Sequence, residues 1–368
     1  MKAGWKIAKL GDVCHVYQPE TLSQKQLKDG PYPVYGANGQ IGFHNEFNHA
    51  EPQLTLGCRG TCGVVNWTTE NAWINGNAMV VKAVEELVIP QFLSYALKGG
   101  INIGDSISGT AQPQITRKSL TPIEIPLPPL AEQKRIVALL DEAFAGIDEA
   151  ISMIASQSAS IKQLLESYLG GVFSTEQHGW ETRKLKECTT IIMGQSPEGS
   201  TYNAKAIGTP LINGPVEFSA DAFGETVKEK WTTEPTKLCK KGDLILCVRG
   251  STTGRMNIAG FDACIGRGVA AIRAKQSQSW VNHFVNASRS KILGMGKGAT
   301  FPNVSADDIG QMELTIPPKD MQELLSKKFD DLRLLNADMC RSMEKRASLL
   351  KTLKSSFLAQ AFAGELTA

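Results

Sequence analysis

The chain has 368 residues, of which 42% are hydrophobic and 21% charged, with 34 glycines and 17 prolines. This mixture excludes a disordered or fibrous chain and suffices for two or three domains. The formal charge of +2, from 39 basic and 37 acidic side chains, argues by itself against a strongly basic nucleic-acid binder.

No apolar run reaches the ~18 residues that span a bilayer, and Met1-Lys2-Ala3-Gly4-Trp5-Lys6 lacks the apolar stretch of a secretion signal. The expected location is cytoplasmic, with no membrane partner. Taken in chain order, Tyr35-Gly36-Ala37-Asn38-Gly39 is a glycine-rich turn, and Leu54-Thr55-Leu56-Gly57-Cys58 reads as a buried strand running into Arg59-Gly60. Cys58 and Cys62, with His44 and His49 upstream, are the nearest approach to a metal set. They flank an Arg-Gly-Thr turn and no second cysteine pair follows, so the eight cysteines read as reduced thiols with no metal. Asn77-Ala78-Met79-Val80-Val81 reads as the next strand.

After Pro128-Pro129 the composition changes. Residues 130–169 contain no proline, and apolar positions step by three and four through Ile136, Leu140, Ile147, Ile154, Ile161 and Leu165, which predicts a helix of about 40 residues. A second globular block follows, with the turn Gly194-Gln195-Ser196-Pro197, a strand Leu244-Ile245-Leu246-Cys247-Val248 ahead of Arg249-Gly250, and a strand Val269-Ala270-Ala271-Ile272. Beyond Pro317-Pro318 the helical stripe returns with Leu325, Phe329, Leu332, Leu335, Met339, Met343, Leu350 and Leu353.

The chain is therefore a tandem repeat. Gly109-Thr110-Ala111-Gln112-Pro113-Gln114-Ile115 matches Gly298-Ala299-Thr300-Phe301-Pro302-Asn303-Val304 at an offset of 189, and Leu164 and Phe173 fall on Leu353 and Phe362 at the same offset. Upstream the offset drifts: Gly4-Trp5 matches Gly179-Trp180 at 175, and Arg59-Gly60 matches Arg249-Gly250 at 190, so about 15 extra residues lie between Trp180 and Arg249. Each copy is a variable α/β block followed by a length-locked helix. The predicted fold is a tandem pseudo-twofold repeat of two α/β globular domains separated by two long antiparallel coiled-coil helices, divided as 1–128, 129–173, 174–318 and 319–368.

Resolved by region, the charge is 0 for residues 1–128, −4 for 129–178, +4 for 179–318 and +2 for 319–368. Opposite signs on the two helices favour their pairing modestly. Catalytic signatures are missing: there is no phosphate loop, no Asn-Pro-Pro-aromatic tetrapeptide, no dinucleotide fingerprint at a strand end, no nucleophile elbow and no zinc-protease helix. A self-sufficient enzyme, such as a DNA methyltransferase acting alone, is disfavoured, and no cofactor is expected. A coiled-coil adaptor without nucleic acid is the other alternative.

The run Ile125-Pro126-Leu127-Pro128-Pro129-Leu130-Ala131-Glu132-Gln133-Lys134-Arg135 resembles the spacer-helix entry of type I restriction–modification specificity subunits. Gly109-Thr110-Ala111-Gln112-Pro113-Gln114, Cys264-Ile265-Gly266-Arg267-Gly268 and Ala361-Phe362-Ala363-Gly364-Glu365-Leu366 look similar to the same family. The second copy departs from it, keeping only the prolines and Gln322 of the entry motif. The resemblance implies two target-recognition domains, each reading half of a bipartite double-stranded DNA site. It also implies two modification subunits that carry S-adenosylmethionine, restriction subunits, and a specificity subunit that is itself non-catalytic.

Arginine suits guanine and Asn or Gln suits adenine in the major groove. Arg59 and Arg249 follow matched strands at matched turns, and Asn75 and Asn77 fall opposite Arg267; all five are candidate DNA contacts. Arg117, Lys118, Arg255 and Lys297 are candidates for phosphate contacts. Trp67, Trp73 and Trp231 read as core or partner surface. About 40 helical residues span about 60 Å, against half-sites that recur every ~34–36 Å on one duplex face.

Overall fold

In the computed structural model, which describes residues 4–109, 112–174, 178–296 and 303–366, the chain divides into two compact units. One comprises residues 1–155 with 343–368, the other residues 156–342. Both unit boundaries fall inside long helices, Leu130–Ser174 and Lys319–Ala363, which have 45 residues each. Each unit therefore contains one globular block and a stretch of both helices.

In the first unit, the strand Lys6–Lys9 pairs antiparallel with Glu124–Leu127, immediately before the first long helix. A four-stranded antiparallel sheet follows in the spatial order Cys14–Tyr17, Ala78–Ala83, Leu54–Gly57, Val65–Trp67. A three-stranded sheet places Tyr32–Gly36 between Gly39–His44 and Trp73–Ile74, the latter pair running parallel. The second unit repeats the arrangement. Glu181–Lys184 pairs with Glu313–Ile316, and the four-stranded sheet runs Thr189–Met193, Val269–Ala274, Leu244–Cys247, Met256–Ile258. Its other sheet has five strands instead of three. Val34 pairs with Trp73 as Leu211 does with Cys264, an offset of 177 for the first residue of each pair, yet Leu54 matches Leu244 at 190. Most of the extra length therefore lies between Ile212 and Leu244; Lys230–Thr232 takes the place of Gly39–His44 beside the central strand, and Tyr202–Asn203 and Leu238–Cys239 are added at the two edges of that sheet.

The helices are antiparallel within each unit. In the first, Lys354 Nζ sits 2.5 Å from an Asp148 carboxylate oxygen. In the second, the Asn336 amide donates to the Ile161 carbonyl at 3.3 Å and Tyr168 meets Phe329 edge-on, so numbers rise along one helix as they fall along the other. The ion pair is solvent-exposed on the Asp148 side and is worth about 0–1 kcal/mol. Apolar burial does the holding.

That burial couples each globule to both helices. The first core joins Leu10, Leu56 and Phe92 to Ile136 and Leu140 of one helix and to Leu358, Ala361 and Phe362 of the other. The second joins Leu185, Leu246 and Trp280 to Phe329, Leu169 and Phe173. Repeat-equivalent rings do equivalent work: Phe362 packs on Phe92 at 4.8 Å between centroids, and Phe173 on Trp280 at 4.7 Å. A Cβ on Gly100 would come within 2.3 Å of the Phe362 ring, so glycine is required for that approach.

Gln133 is buried to 0% exposure. Its Nε2 donates to the carbonyls of Leu87 and Pro128, both at 2.9 Å, and its Oε1 accepts from Ile89 N–H at 2.9 Å. Gln322 repeats one of these bonds, donating to the Pro317 carbonyl at 2.9 Å. The glutamine kept in both copies of the entry motif thus seals the strand-to-helix junction, because a buried carbonyl left without a donor costs about 1–3 kcal/mol.

His283 lies 1% exposed against Phe329 and Phe223, with Nε2 3.2 Å from Asp330. Burial lowers its pKa and nearby Arg333 adds to this, with Asp330 opposing. The folded state therefore disfavours the imidazolium, and below the ordinary histidine pKa of about 6.5 the unfolded chain gains a proton that the folded chain resists. Acidification from pH 7 to 5 should destabilise the second unit, with a shallower slope in His283→Gln by denaturant titration. Phe329→Ala should cost about 3–5 kcal/mol, whereas Leu332→Ala, at a 38% exposed site, should stay within about 0.5 kcal/mol in thermal unfolding.

Candidate nucleic-acid interface

The Arg-Gly pair found in both copies has a backbone cause. Gly60 and Gly250 have φ of 76° and 77°, and Gly63 and Gly254 have 87° and 85°, left-handed values that favour glycine. The turn closes on the preceding strand through Gly63 N–H to Gly57 O and Gly254 N–H to Cys247 O, both 2.9 Å. Arg59 and Arg249 are held at its entrance with their side chains exposed.

Each arginine forms an isolated backbone bridge to an amide residue, Arg59 to Gln114 and Arg249 to Asn303. The next residues lock the pairing: Ile115 N–H donates to Cys58 O at 2.9 Å and Val304 N–H to Val248 O at 3.0 Å. Gln114 and Asn303 are exposed. An arginine beside a carboxamide is a pair suited to guanine and adenine edges. Both amides belong to the quoted repeat motif, at an offset of 189, and that match was the available signal for them. In the first unit Arg59, Gln114 and Arg117 line a concavity of about 250 Å³ with Tyr17, Gln18 and Thr116.

The other candidates separate. Asn77 is exposed, and its carbonyl accepts from Cys58 N–H at 2.9 Å, which sets it beside Arg59. Asn75 is a correction. It is 4% exposed, its Oδ1 accepts from Leu22 N–H at 3.0 Å and its Nδ2 donates to Leu22 O at 2.7 Å. Both ends of the amide are committed to holding the segment around Leu22, so neither is available to a base.

Arg267 is exposed, with its N–H on Ser196 Oγ at 3.1 Å. The sheet pairs Leu56 with Met79 and Leu246 with Ala270, so Asn77 corresponds to Gly268 and Arg267 to Gly76, one residue from the sequence alignment. Arg117 and Lys118 are exposed on the helix Arg117–Leu120. Their repeat partners are Ala306 and Asp307, so no shared basic contact exists there. Arg255 is half-buried, and its carbonyl accepts from Cys247 N–H at 2.7 Å. Lys297 lies outside the described residues.

The thiols and imidazoles are dispersed. Burial pushes the Cys58 thiol up to about 11, Cys62 Sγ donates to Pro113 O at 3.1 Å, His44 Nδ1 accepts from Lys28 N–H at 3.1 Å, and His49 Nε2 meets the Tyr17 hydroxyl at 2.9 Å. Among the described residues no three His, Cys, Asp or Glu side chains stand together as a metal site, and no helix is long and apolar enough to cross a membrane. Trp67, Trp73 and Trp231 are half-buried.

Residues 2–153 and 177–339 match the family described as the type I restriction modification DNA specificity domain, once for each copy of the repeat. The chain belongs to that family. A putative type I restriction enzyme specificity subunit of Methanocaldococcus jannaschii is 30% identical over 281 residues, covering 70% of this chain and 65% of the relative. The match thus spans about two thirds of that relative's length. A chain solved in work on complex assembly and conformational transition of the type I R-M system aligns with a TM-score of 0.81 and 23% identity over 99% of both chains. The HsdS subunit of Thermoanaerobacter tengcongensis aligns with a TM-score of 0.59 and 22% identity over 99% of this chain and 97% of that one. These two structures share the fold.

The different environments of the two asparagines are directly testable. Asn75→Ala should cost about 1–3 kcal/mol by orphaning the Leu22 backbone groups, and Asn77→Ala should stay within about 0.5 kcal/mol, both read by thermal denaturation.

Proposed function

We propose that the chain is the DNA-reading, non-catalytic subunit of a cytoplasmic type I restriction–modification assembly. Each globular block reads one half of an asymmetric bipartite site on double-stranded DNA. The observation that carries this reading is the arginine–carboxamide pair built twice, at Arg59–Gln114 and Arg249–Asn303, on the same turn and the same backbone bridge in a family of DNA specificity domains. Asn77 and Arg267 are the next candidates on those rims. Arg117, Lys118, Arg255 and Lys297 remain candidates for phosphate contacts.

In this reading residues 1–128 and 174–318 are the recognition domains, and residues 129–173 and 319–368 are spacers that set the distance between half-sites. The spacer helices also dock two modification subunits, which the restriction subunits join. Exposed Leu164, Leu335 and Leu349, at 71%, 56% and 60%, leave apolar surface on the helices for that purpose. S-adenosylmethionine belongs to the modification subunits, and this chain needs no cofactor of its own. With no net charge on residues 1–128, much of the phosphate attraction comes from the partners.

The test is selection of bound duplexes from a random pool by the co-expressed assembly. Doubly substituted Arg59→Ala/Gln114→Ala should relax one half of the selected motif, at about 1–3 kcal/mol per lost base contact, and leave the other half intact. Arg249→Ala/Asn303→Ala should do the converse. Selection of no sequence, as a protein adaptor would give, or equal relaxation of both halves by either variant, would contradict the reading.

A further inference from the structure

The second unit contains a cavity of about 390 Å³ at the start of its long helix, lined among others by Trp280, Val281, Ile316, Gln322, Lys275 and Lys319. In the first unit the chain itself fills the corresponding place. Two fixed points define the correspondence. Val84 N–H donates to Val13 O, and Lys275 N–H to Cys188 O, both at 2.9 Å; Ile89 and Ser277 then precede the next helices. Between these points the first copy has Glu85-Glu86-Leu87-Val88, whereas the second has only Gln276.

The four-residue segment is what Gln133 grips. Its amide holds the Leu87 carbonyl and the Ile89 N–H, and Val88 is fully buried in the core. Gln322 is 5% exposed and keeps its bond to the Pro317 carbonyl, but its Oε1 accepts no hydrogen bond among the described residues. Gln322 lines the cavity at the position where Gln133 grips the segment in the first copy. The lining is of mixed charge, with Lys275 and Lys319 beside Glu187 and an Arg183–Glu181 pair; Lys319 is exposed, and Lys275 is anchored through its Nζ to the Glu187 carbonyl at 2.8 Å.

We propose that this cavity receives an acidic–aliphatic peptide segment from another polypeptide. The segment donates a backbone N–H to Gln322 Oε1, buries one aliphatic side chain over Trp280 and Val281, and sets its acidic residues toward Lys275 and Lys319. The first copy carries its occupant in its own chain; the second takes it from a partner. The inference is independent of what the globules read, because it rests on the second unit alone and needs no DNA.

The test titrates the full chain with a labelled peptide copying residues 84–90 and with a scrambled version, read by fluorescence anisotropy. Saturable binding of the native-order peptide is expected, with a dissociation constant of about 10–500 μM. A graft replacing Gln276 with the four residues of the first copy fills the cavity in cis; it should keep or raise the Tm and weaken binding at least ~10-fold. Lys319→Glu, at an exposed position, should weaken it about 5-fold with the Tm unchanged, so the result stands if the graft fails to fold. Equal binding of the scrambled peptide, binding unchanged by Lys319→Glu, or no saturation up to about 2 mM would overturn the proposal.

Discussion

The structure depends on burying the ends of two helices of equal length inside the cores of the globules. Leu140 and Phe329 are equivalent residues and both are completely buried; Leu169, Phe173, Leu358 and Phe362 close the same cores from the antiparallel partner helix. Full burial of such side chains contributes about 1.5–3 kcal/mol each. Losing one residue from either helix would rotate these anchors by about 100° around its axis. That geometric penalty accounts for an offset fixed at 189 through the helices while it drifts elsewhere. The added edge strands Tyr202–Asn203 and Leu238–Cys239 of the second copy widen a sheet whose apolar core contains no residue of the long helices.

The same constraint explains which residues repeat. Gln133 and Gln322 seal the junction between globule and helix, and the left-handed glycines after Arg59 and Arg249 close the turns. These are structural requirements, and they hold arginine and carboxamide side chains at equivalent, exposed places on two globules of different sequence. Framework residues are repeated while the surrounding surface diverges, as Arg117-Lys118 against Ala306-Asp307 illustrates. Under the proposed function, that divergence on a shared framework would let one architecture read two unlike half-sites.

Much of this was legible in the sequence. The long helices and the internal repeat follow from apolar periodicity and a constant offset, both local properties of the chain. The coupling of each globule to both helices was not, because Phe362 meets Phe92 and Phe173 meets Trp280 across more than a hundred residues of sequence. Among the candidate DNA contacts, Arg59 and Arg249 are marked in the sequence by a turn that the structure builds in both copies. Asn75 misled, since a buried bracket and an exposed reader have the same side chain and differ only in what surrounds it. Gln114 and Asn303 were visible in the repeat motif, but their place beside the arginines required the backbone bridge. The one-residue difference at Arg267 arises because strand register, not sequence similarity, decides which positions correspond.

The central claim is that two unlike globules of one chain read two separated half-sites. Its most direct measurement is a genome-wide methylation map from cells co-expressing this chain with its modification subunit. The account predicts adenine methylation within a motif of two different specified halves around an unread gap of constant length. A contiguous or palindromic motif, or methylation without any motif that depends on this chain, would contradict it.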